Sequence, residues 1–321
     1  MSAVPTRMEV LRLRAALNAL VRLFFAERDV LEVETPILSQ AGNTDPNIHS
    51  FTTPFSGHVD AGMRTRWLRT SAEFPLKRLL AEGVGDCYEL GRVFRNGEAG
   101  GRHNPEFTML EWYRVGLDHV QLIEESVALV QRALSLVGRK AEVASCTYGE
   151  LFQQALGLDP FTASESELAA ALQEVELDAE GLGRDDFLDL LLTHLIQPGF
   201  PEQRITVVRD WPASQCALAR IRSGDPPVAE RFELYLGPLE LANGYHELID
   251  AAEQHERFMR DLITRETRVS PLPPIDERLI HSMARGMPAC AGVAVGMDRL
   301  LMAMIGSHLI ADVLAFEFSR A

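Results

Sequence analysis

Arg95 and Glu98, then Arg102, His103, Asn104 and Phe107, fall in one short stretch that also holds Gly97, Gly100 and Gly101. Guanidinium forks match phosphate or carboxylate oxygens, and an aromatic ring offers a stacking face. Basic groups on a glycine-rich turn beside Phe107 therefore suit an anionic, ring-bearing ligand such as a nucleotide. Taken alone, two arginines and a phenylalanine are more often surface and core. If residues 105–115 form a strand, period two puts Phe107, Met109, Glu111 and Tyr113 on one face. That mixture is poor core and a sensible ligand wall.

A second group is Arg231-Phe232-Glu233 followed by Glu240-Leu241-Ala242-Asn243-Gly244-Tyr245-His246-Glu247. Carboxylates are rare in buried sheet unless paired or bound to metal. Mg²⁺ in nucleotide enzymes takes one or two carboxylates plus phosphates, and Glu233 with Glu240 could supply that pair. Glutamates on a solvent-facing sheet are the competing reading. Strict alternation puts Asn243 and Glu247 on one face and Glu240 on the other. All three line one pocket only if the strand bulges, and Asn243-Gly244 is the expected place. In a third group, Gly292, Ala294 and Gly296 share a strand face that lets a ligand approach the backbone. Arg299 follows in the first turn of a helix, aimed back at that face. Small-residue packing is the alternative, and it leaves Arg299 unexplained.

The elements that must position these groups are read from hydrophobic period and breakers. Helical spacing of Val10, Leu13, Leu17, Leu20, Val21, Phe24 and Phe25 predicts a helix over 7–28. Residues 33–38 are extended, and Pro36 restricts them to an edge or an interface. A strand near 67–70, a helix over 72–82 and strands over 87–95 and 105–115 follow. The last two are joined by a mobile hairpin loop at 96–104. Next come a helix over 118–137 and short helices over 148–197. Strands return at 204–209, 230–236 and 239–248, and a helix spans 251–268. After a proline-rich linker at 270–274 come another helix, a strand at 291–296 and a final long helix from Met297. The sum is α+β: a mostly antiparallel sheet flanked by helices.

Composition narrows the function classes. The 46% hydrophobic content excludes disorder as the main state, and no apolar run approaches the ~20 residues of a membrane span. The amino terminus shows no secretory signal, and the four cysteines are scattered singly, so the cytoplasm is expected. A net charge of −15 argues against a broad polyanion-binding surface. Ten acidic residues and one basic one lie in 159–190, most simply a solvated helical module.

Pro36 in Val33-Glu34-Thr35-Pro36-Ile37-Leu38, the Arg95 loop-strand segment and the segment ending Gly296-Met297-Asp298-Arg299 resemble motifs one, two and three of class II aminoacyl-tRNA synthetases. They stand in that order across nearly the whole chain. Arg102-His103-Asn104-Pro105-Glu106-Phe107-Thr108 and Glu240-x-x-Asn243-Gly244 resemble the lysyl-tRNA synthetase catalytic domain. Thr70-Ser71-Ala72-Glu73-Phe74, Met109-Leu110-Glu111-Trp112-Tyr113-Arg114, Pro212-Ala213-Ser214-Gln215 and Cys290-Ala291-Gly292-Val293-Ala294 are similar to its stand-alone relative, the elongation factor P–lysine lysyltransferase (PoxA/GenX) family.

That resemblance implies a class II synthetase-like antiparallel sheet flanked by helices, as a single catalytic domain over 1–321. It would carry a helical insertion at 148–197 and no anticodon-binding domain. The implied reaction joins lysine or (R)-β-lysine to ATP as an aminoacyl-adenylate, then passes the acyl group to a lysine side chain of elongation factor P. Arg95 would contact the α-phosphate and substrate carboxylate, and Arg102 and His103 the outer phosphates, with Glu98 and Asn104 in the same ATP site. Phe107 and Arg299 would sandwich adenine, and Glu233 and Glu240 would hold Mg²⁺. Ser71, Glu73, Glu111, Tyr113, Asn243, Glu247 and Ala294 would shape the amino-acid site, with Glu247 opposite the distal ammonium and Glu73 near the other amine. Motif one implies a homodimer through residues around 7–40.

Two positions depart from the pattern. Gly97 stands where motif two usually has glutamate, which leaves the adenine-side role of that glutamate open. Ala294 stands where lysyl-tRNA synthetases have glycine, and its extra methyl favours β-lysine. The missing anticodon-binding module and the negative charge make tRNA a poor acceptor. Another stand-alone class II ligase and an inactive amino-acid-sensing paralogue are the alternatives. The second would be expected to have lost phosphate or metal ligands that are all present here.

Overall fold

The computed structural model describes residues 5–172 and 181–321, which form two compact units: Met1–Leu117 with Ile249–Ala321, and Asp118–Leu248. The first unit is built on an antiparallel pair, Cys87–Phe94 and Glu106–Val115. Cys290–Gly296 lies antiparallel to the second of these, and Leu31–Glu32 parallel to the first. The helix Arg7–Ala26 starts at a reciprocal cap in which the Thr6 hydroxyl accepts from the Glu9 amide and Glu9 accepts from the Thr6 amide. It buries Val10, Leu17, Val21, Phe24 and Phe25. Phe25 stacks on Tyr88 at 4.3 Å and meets Trp112 edge-on at 5.3 Å, which locks the helix to both central strands.

A small three-stranded sheet, Leu38–Ser39, Thr65–Leu68 and Thr52–Pro54, covers part of this unit. Buried Arg265, on the helix Ala251–Thr267, fastens the segment between its strands by donating to the carbonyls of Asn43, Thr44, Asp45 and Ile48. One guanidinium thereby satisfies a turn that has no ladder of its own.

In the second unit Val228–Leu236 lies between Leu239–His246 and Arg204–Pro212, antiparallel to both. Glu142–Thr147 adds in parallel beyond Arg204–Pro212, and Ile221–Arg222 pairs with the start of Val228–Leu236. The helices His119–Ser135, Tyr148–Leu156 and Glu165–Ala171 each begin at a capping box, formed by Asp118 with Gln121, Thr147 with Glu150 and Ser164 with Glu167. Tyr148, Phe152, Leu168, Leu188, Leu191, Trp211 and Tyr235 make a core for this unit.

The acidic stretch has a local physical reason where it is described. Glu165, Glu167, Asp185 and Asp186 sit in the first turns of Glu165–Ala171 and Arg184–Leu191, where they complement the helix dipole, while Leu168, Phe187, Leu188 and Leu191 face the core. Four of its acidic positions, Glu174, Glu176, Asp178 and Glu180, lie outside the described residues.

Several expectations are corrected. Residues 33–38 do not form one strand, because Leu31–Glu32 and Leu38–Ser39 join different sheets and Pro36 sits between them. The strand expected at 67–70 is Thr65–Leu68, ending before Arg69 turns inward to Glu89. The last helix is short, Met297–Ile305, stopped by Gly306 at φ +70°. The strand Glu142–Thr147 was not expected, since its alternation is too weak to read. Among the described residues no helix is long and apolar enough to cross a membrane.

Candidate active site

Residues directly opposite in a ladder share a face. Tyr113, Glu111 and Met109 stand opposite Gly292, Ala294 and Gly296 on one side and Cys87, Glu89 and Gly91 on the other. The expected wall of Phe107, Met109, Glu111 and Tyr113 is thus on the same face as the small-residue floor, with Ala294 next to Glu111. Glu89 is held by Arg69 at 2.7 Å and by the Thr35 hydroxyl at 2.6 Å. Gly91 has no room for a Cβ because the Arg69 guanidinium crosses it.

Glu111 is buried and accepts from the Ser71 hydroxyl at 2.7 Å and from the Ala72 amide. The Ser71 hydroxyl in turn accepts from the Glu73 amide at 2.9 Å, and Glu73 is ion-paired with buried Lys77 at 2.6 Å. Burial, reinforced by the nearby Glu73 charge, pushes Glu111 up to about 7, against the pull of its two hydrogen bonds. Ser71, Glu73, Glu111, Tyr113 and Ala294 therefore form one neighbourhood.

The basic loop lies at the end of this wall. Arg95 sits 5.2 Å over the Phe107 ring and 3.6 Å from Glu98. Gly97 takes φ +89°, a left-handed turn that glycine adopts without strain and a glutamate would not. Gly100 and His103 close the loop by mutual backbone bonds, and Arg299 reaches His103 Nε2 at 2.7 Å. Asn104 bonds the Glu106 carbonyl and accepts from the Phe318 amide, so it ties the loop to the chain's last turn. Arg95, Phe107, Glu98 and the Arg299–His103 pair are brought together at one end of the first unit.

The second unit carries the other set. Arg231, Glu233 and Tyr235 are paired with Tyr245, Asn243 and Glu240. The bulge that makes this possible is at Leu241, not at Asn243-Gly244: Leu234 faces Ala242 while Tyr235 faces Glu240. The extra residue flips Glu240 onto the face of Glu233 and Asn243. A polar network fills that face. Arg231 donates to Glu233 and Asn243, Asn243 donates to the Tyr245 hydroxyl at 2.8 Å, and the Tyr235 hydroxyl donates to Glu233. Burial raises Glu233 to about 7, with Arg231 lowering it and the Glu240 charge raising it further. Glu247 follows the strand, 2% exposed, with its backbone bridged to Ala219.

Sequence reasoning passed over some residues that hold these groups in place. Asp298, beside Arg299, is buried and accepts from Arg14 and from the Thr108 amide at 2.8 Å, which fixes the start of the Met297–Ile305 helix on the Glu106–Val115 strand. Arg69 orders Glu89, and Arg231 and Tyr235 order Glu233. Asp298 lies in a motif already singled out, and a buried aspartate in a first turn is the signal that could have found it. Arg69 has no local signature.

A family description of class II tRNA synthetases (D, K and N) matches residues 3–320. An elongation factor P–(R)-β-lysine ligase of Mannheimia succiniciproducens is 47% identical over 309 residues, covering 96% of this chain and 94% of that protein. Proteins of the same name from Pasteurella multocida and Salmonella gallinarum are 44% and 46% identical, over 98% and 96% of this chain and 96% and 94% of theirs.

Proposed function

Because the chain belongs to the class II tRNA synthetases of the D, K and N group, we propose that it activates (R)-β-lysine with ATP and transfers it to a lysine side chain of elongation factor P. The observation that carries this reading is the near-full-length likeness to ligases named for that transfer. The substrate carboxylate attacks the α-phosphorus of ATP, pyrophosphate leaves, and the ε-amine of the acceptor then attacks the acyl carbonyl and displaces AMP.

Arg95 bridges the substrate carboxylate and the α-phosphate, where charge builds in the first step. Arg102 and His103 hold the outer phosphates, and Arg299 covers the adenine. Glu98 and Asn104 complete the nucleotide site, Asn104 by fixing the loop. The donor set at Glu233 and Glu240 fits Mg²⁺, since the two carboxylates share one face and the Glu240 charge raises Glu233 until a cation joins them. Bound there, Mg²⁺ neutralises phosphate charge. Glu247 receives the distal ammonium, while Ser71, Glu111, Tyr113 and Asn243 shape the wall, and Glu73 borders the second amine. The four cysteines are free thiols, which accords with a cytoplasmic enzyme.

Amino-acid-dependent ATP–pyrophosphate exchange tests the reading. Exchange is expected with (R)-β-lysine in the presence of Mg²⁺, and its absence contradicts the reading and favours a sensing paralogue. Specificity follows from Ala294. Ala294→Gly removes the methyl beside Glu111 and is expected to raise kcat/KM for α-lysine relative to (R)-β-lysine by about 10–100-fold. An unchanged ratio in exchange assays contradicts that role.

Glu111 adds a pH dependence. Its pKa is raised in the fold, so the neutral form is favoured: its contribution to stability is full below about 4.5 and is lost as pH rises through about 7. Glu111→Gln is expected to raise the melting temperature more at about pH 8 than at about pH 5.5. The KM for the amino acid in the parent enzyme should rise as pH falls through about 7, with the KM for ATP steady.

We assign a homodimer to the Arg7–Ala26 side. Met8, Leu11 and Leu23 share an exposed arc of that helix, and Leu31, Ile37 and Leu38 are exposed beyond it, an apolar surface that a partner subunit would cover. Light scattering at micromolar concentration is expected to give twice the 35.7 kDa chain mass. A monomeric mass contradicts it.

A further inference from the structure

Away from the faces described above, three donor-bearing side chains of the second unit converge. His119, at the start of the helix His119–Ser135, Glu230 on Val228–Leu236 and His246 on Leu239–His246 each bring a donor atom within 4.8 Å of the other two. His246 Nδ1 is 2.8 Å from Glu230 Oε2, and the two imidazole rings lie 6.3 Å apart, tilted by 27°. The closeness is not hydrogen bonding. Neither ring nitrogen of His119 has a hydrogen-bond partner among the described residues, although His119 is 3% exposed, and His246 Nδ1 meets only the Glu230 carboxylate, off hydrogen-bond geometry. Buried polar atoms are seldom left so, because nothing repays their lost hydration. A cation that accepts a lone pair from each residue repays it.

We propose that His119, Glu230 and His246 bind a divalent late first-row metal ion, with Zn²⁺ the best match to two imidazoles and one carboxylate. Three protein ligands leave a fourth position for water. The surroundings act as an outer shell: Asp210 lies 3.8 Å from His119 Nε2, Arg220 holds Glu230 at 2.7 Å, and Arg222 links Asp210 at 2.7 Å to Glu230 at 3.4 Å. These guanidinium groups orient the carboxylates and also oppose a cation by charge. The metal is therefore exchangeable and is lost to a chelator. Its ligands differ from the all-oxygen pair Glu233 and Glu240, so Mg²⁺ does not compete for it. An ion here ties the start of a helix to the strand end that immediately precedes Glu247.

The test uses tag-free, full-length protein stripped with chelator and held in excess Mg²⁺, titrated with Co²⁺ and then with Zn²⁺. One bound Co²⁺ per chain is expected, with the intense visible bands of tetrahedral cobalt, displaced by Zn²⁺ and accompanied by a higher melting temperature. His119→Ala is expected to weaken uptake at least about tenfold and to retain pyrophosphate exchange. No stoichiometric uptake by the parent protein overturns the proposal, whatever the variant does. Equal uptake by His119→Ala also overturns it.

Discussion

Arg299→Ala is expected to lower (R)-β-lysine-dependent pyrophosphate exchange by at least about 30-fold, the consequence of losing a desolvated cation–π contact of about 2 kcal/mol on one face of the adenine. The side chain is half-buried, so little packing is lost with it. Its helix is held independently by Asp298, which Arg14 and the Thr108 amide anchor, so the variant should fold with an unchanged melting temperature. Arg299 also meets His103 at 2.7 Å, and its loss releases one side of the basic loop from the helix. Both effects fall on the nucleotide, so the KM for ATP rises with the loss of rate. Exchange at the parent level would remove Arg299 from the nucleotide site.

Glu247→Gln is expected to raise the KM for the amino acid by about two to four orders of magnitude while moving the KM for ATP less than about twofold. Removing one partner of a buried charge pair leaves the other unpaired, at a cost of about 3–5 kcal/mol. The amide is nearly isosteric, and the strand end is held by backbone bonds from the Leu248 amide to the Leu218 carbonyl and from the Arg220 amide to the His246 carbonyl. The defect should therefore be confined to substrate binding. Equal changes in both KM values would sink the assignment of Glu247 to the distal ammonium.

Period two was enough to put Phe107, Met109, Glu111 and Tyr113 on one face, since that face depends only on a strand existing. The same rule showed that Glu240 needed a bulge to join Glu233 and Asn243. It misplaced the bulge, because Asn243-Gly244 is the more flexible dipeptide while the ladder slips at Leu241. A bulge is decided by cross-strand register, which lies between two strands and in neither alone. The strand Glu142–Thr147 exists because Arg204–Pro212 offers it a parallel edge, a partner more than fifty residues away. Asp298 and Arg14 illustrate the same limit: their pairing joins the two ends of the chain, and no local pattern announces it. Capping boxes at Thr6, Thr147 and Ser164 are local, and they mark helix starts that the sequence could have given to the residue. His119, Glu230 and His246 are too widely spaced to read as ligands, and only the packing of one helix against two strands brings them together.

The most direct test of the central claim is the intact mass of purified elongation factor P after incubation with this protein, Mg-ATP and each lysine isomer separately. A gain of one lysyl unit is expected, larger with (R)-β-lysine than with α-lysine and absent without ATP. An unchanged mass under conditions in which pyrophosphate is released would contradict elongation factor P as the acceptor.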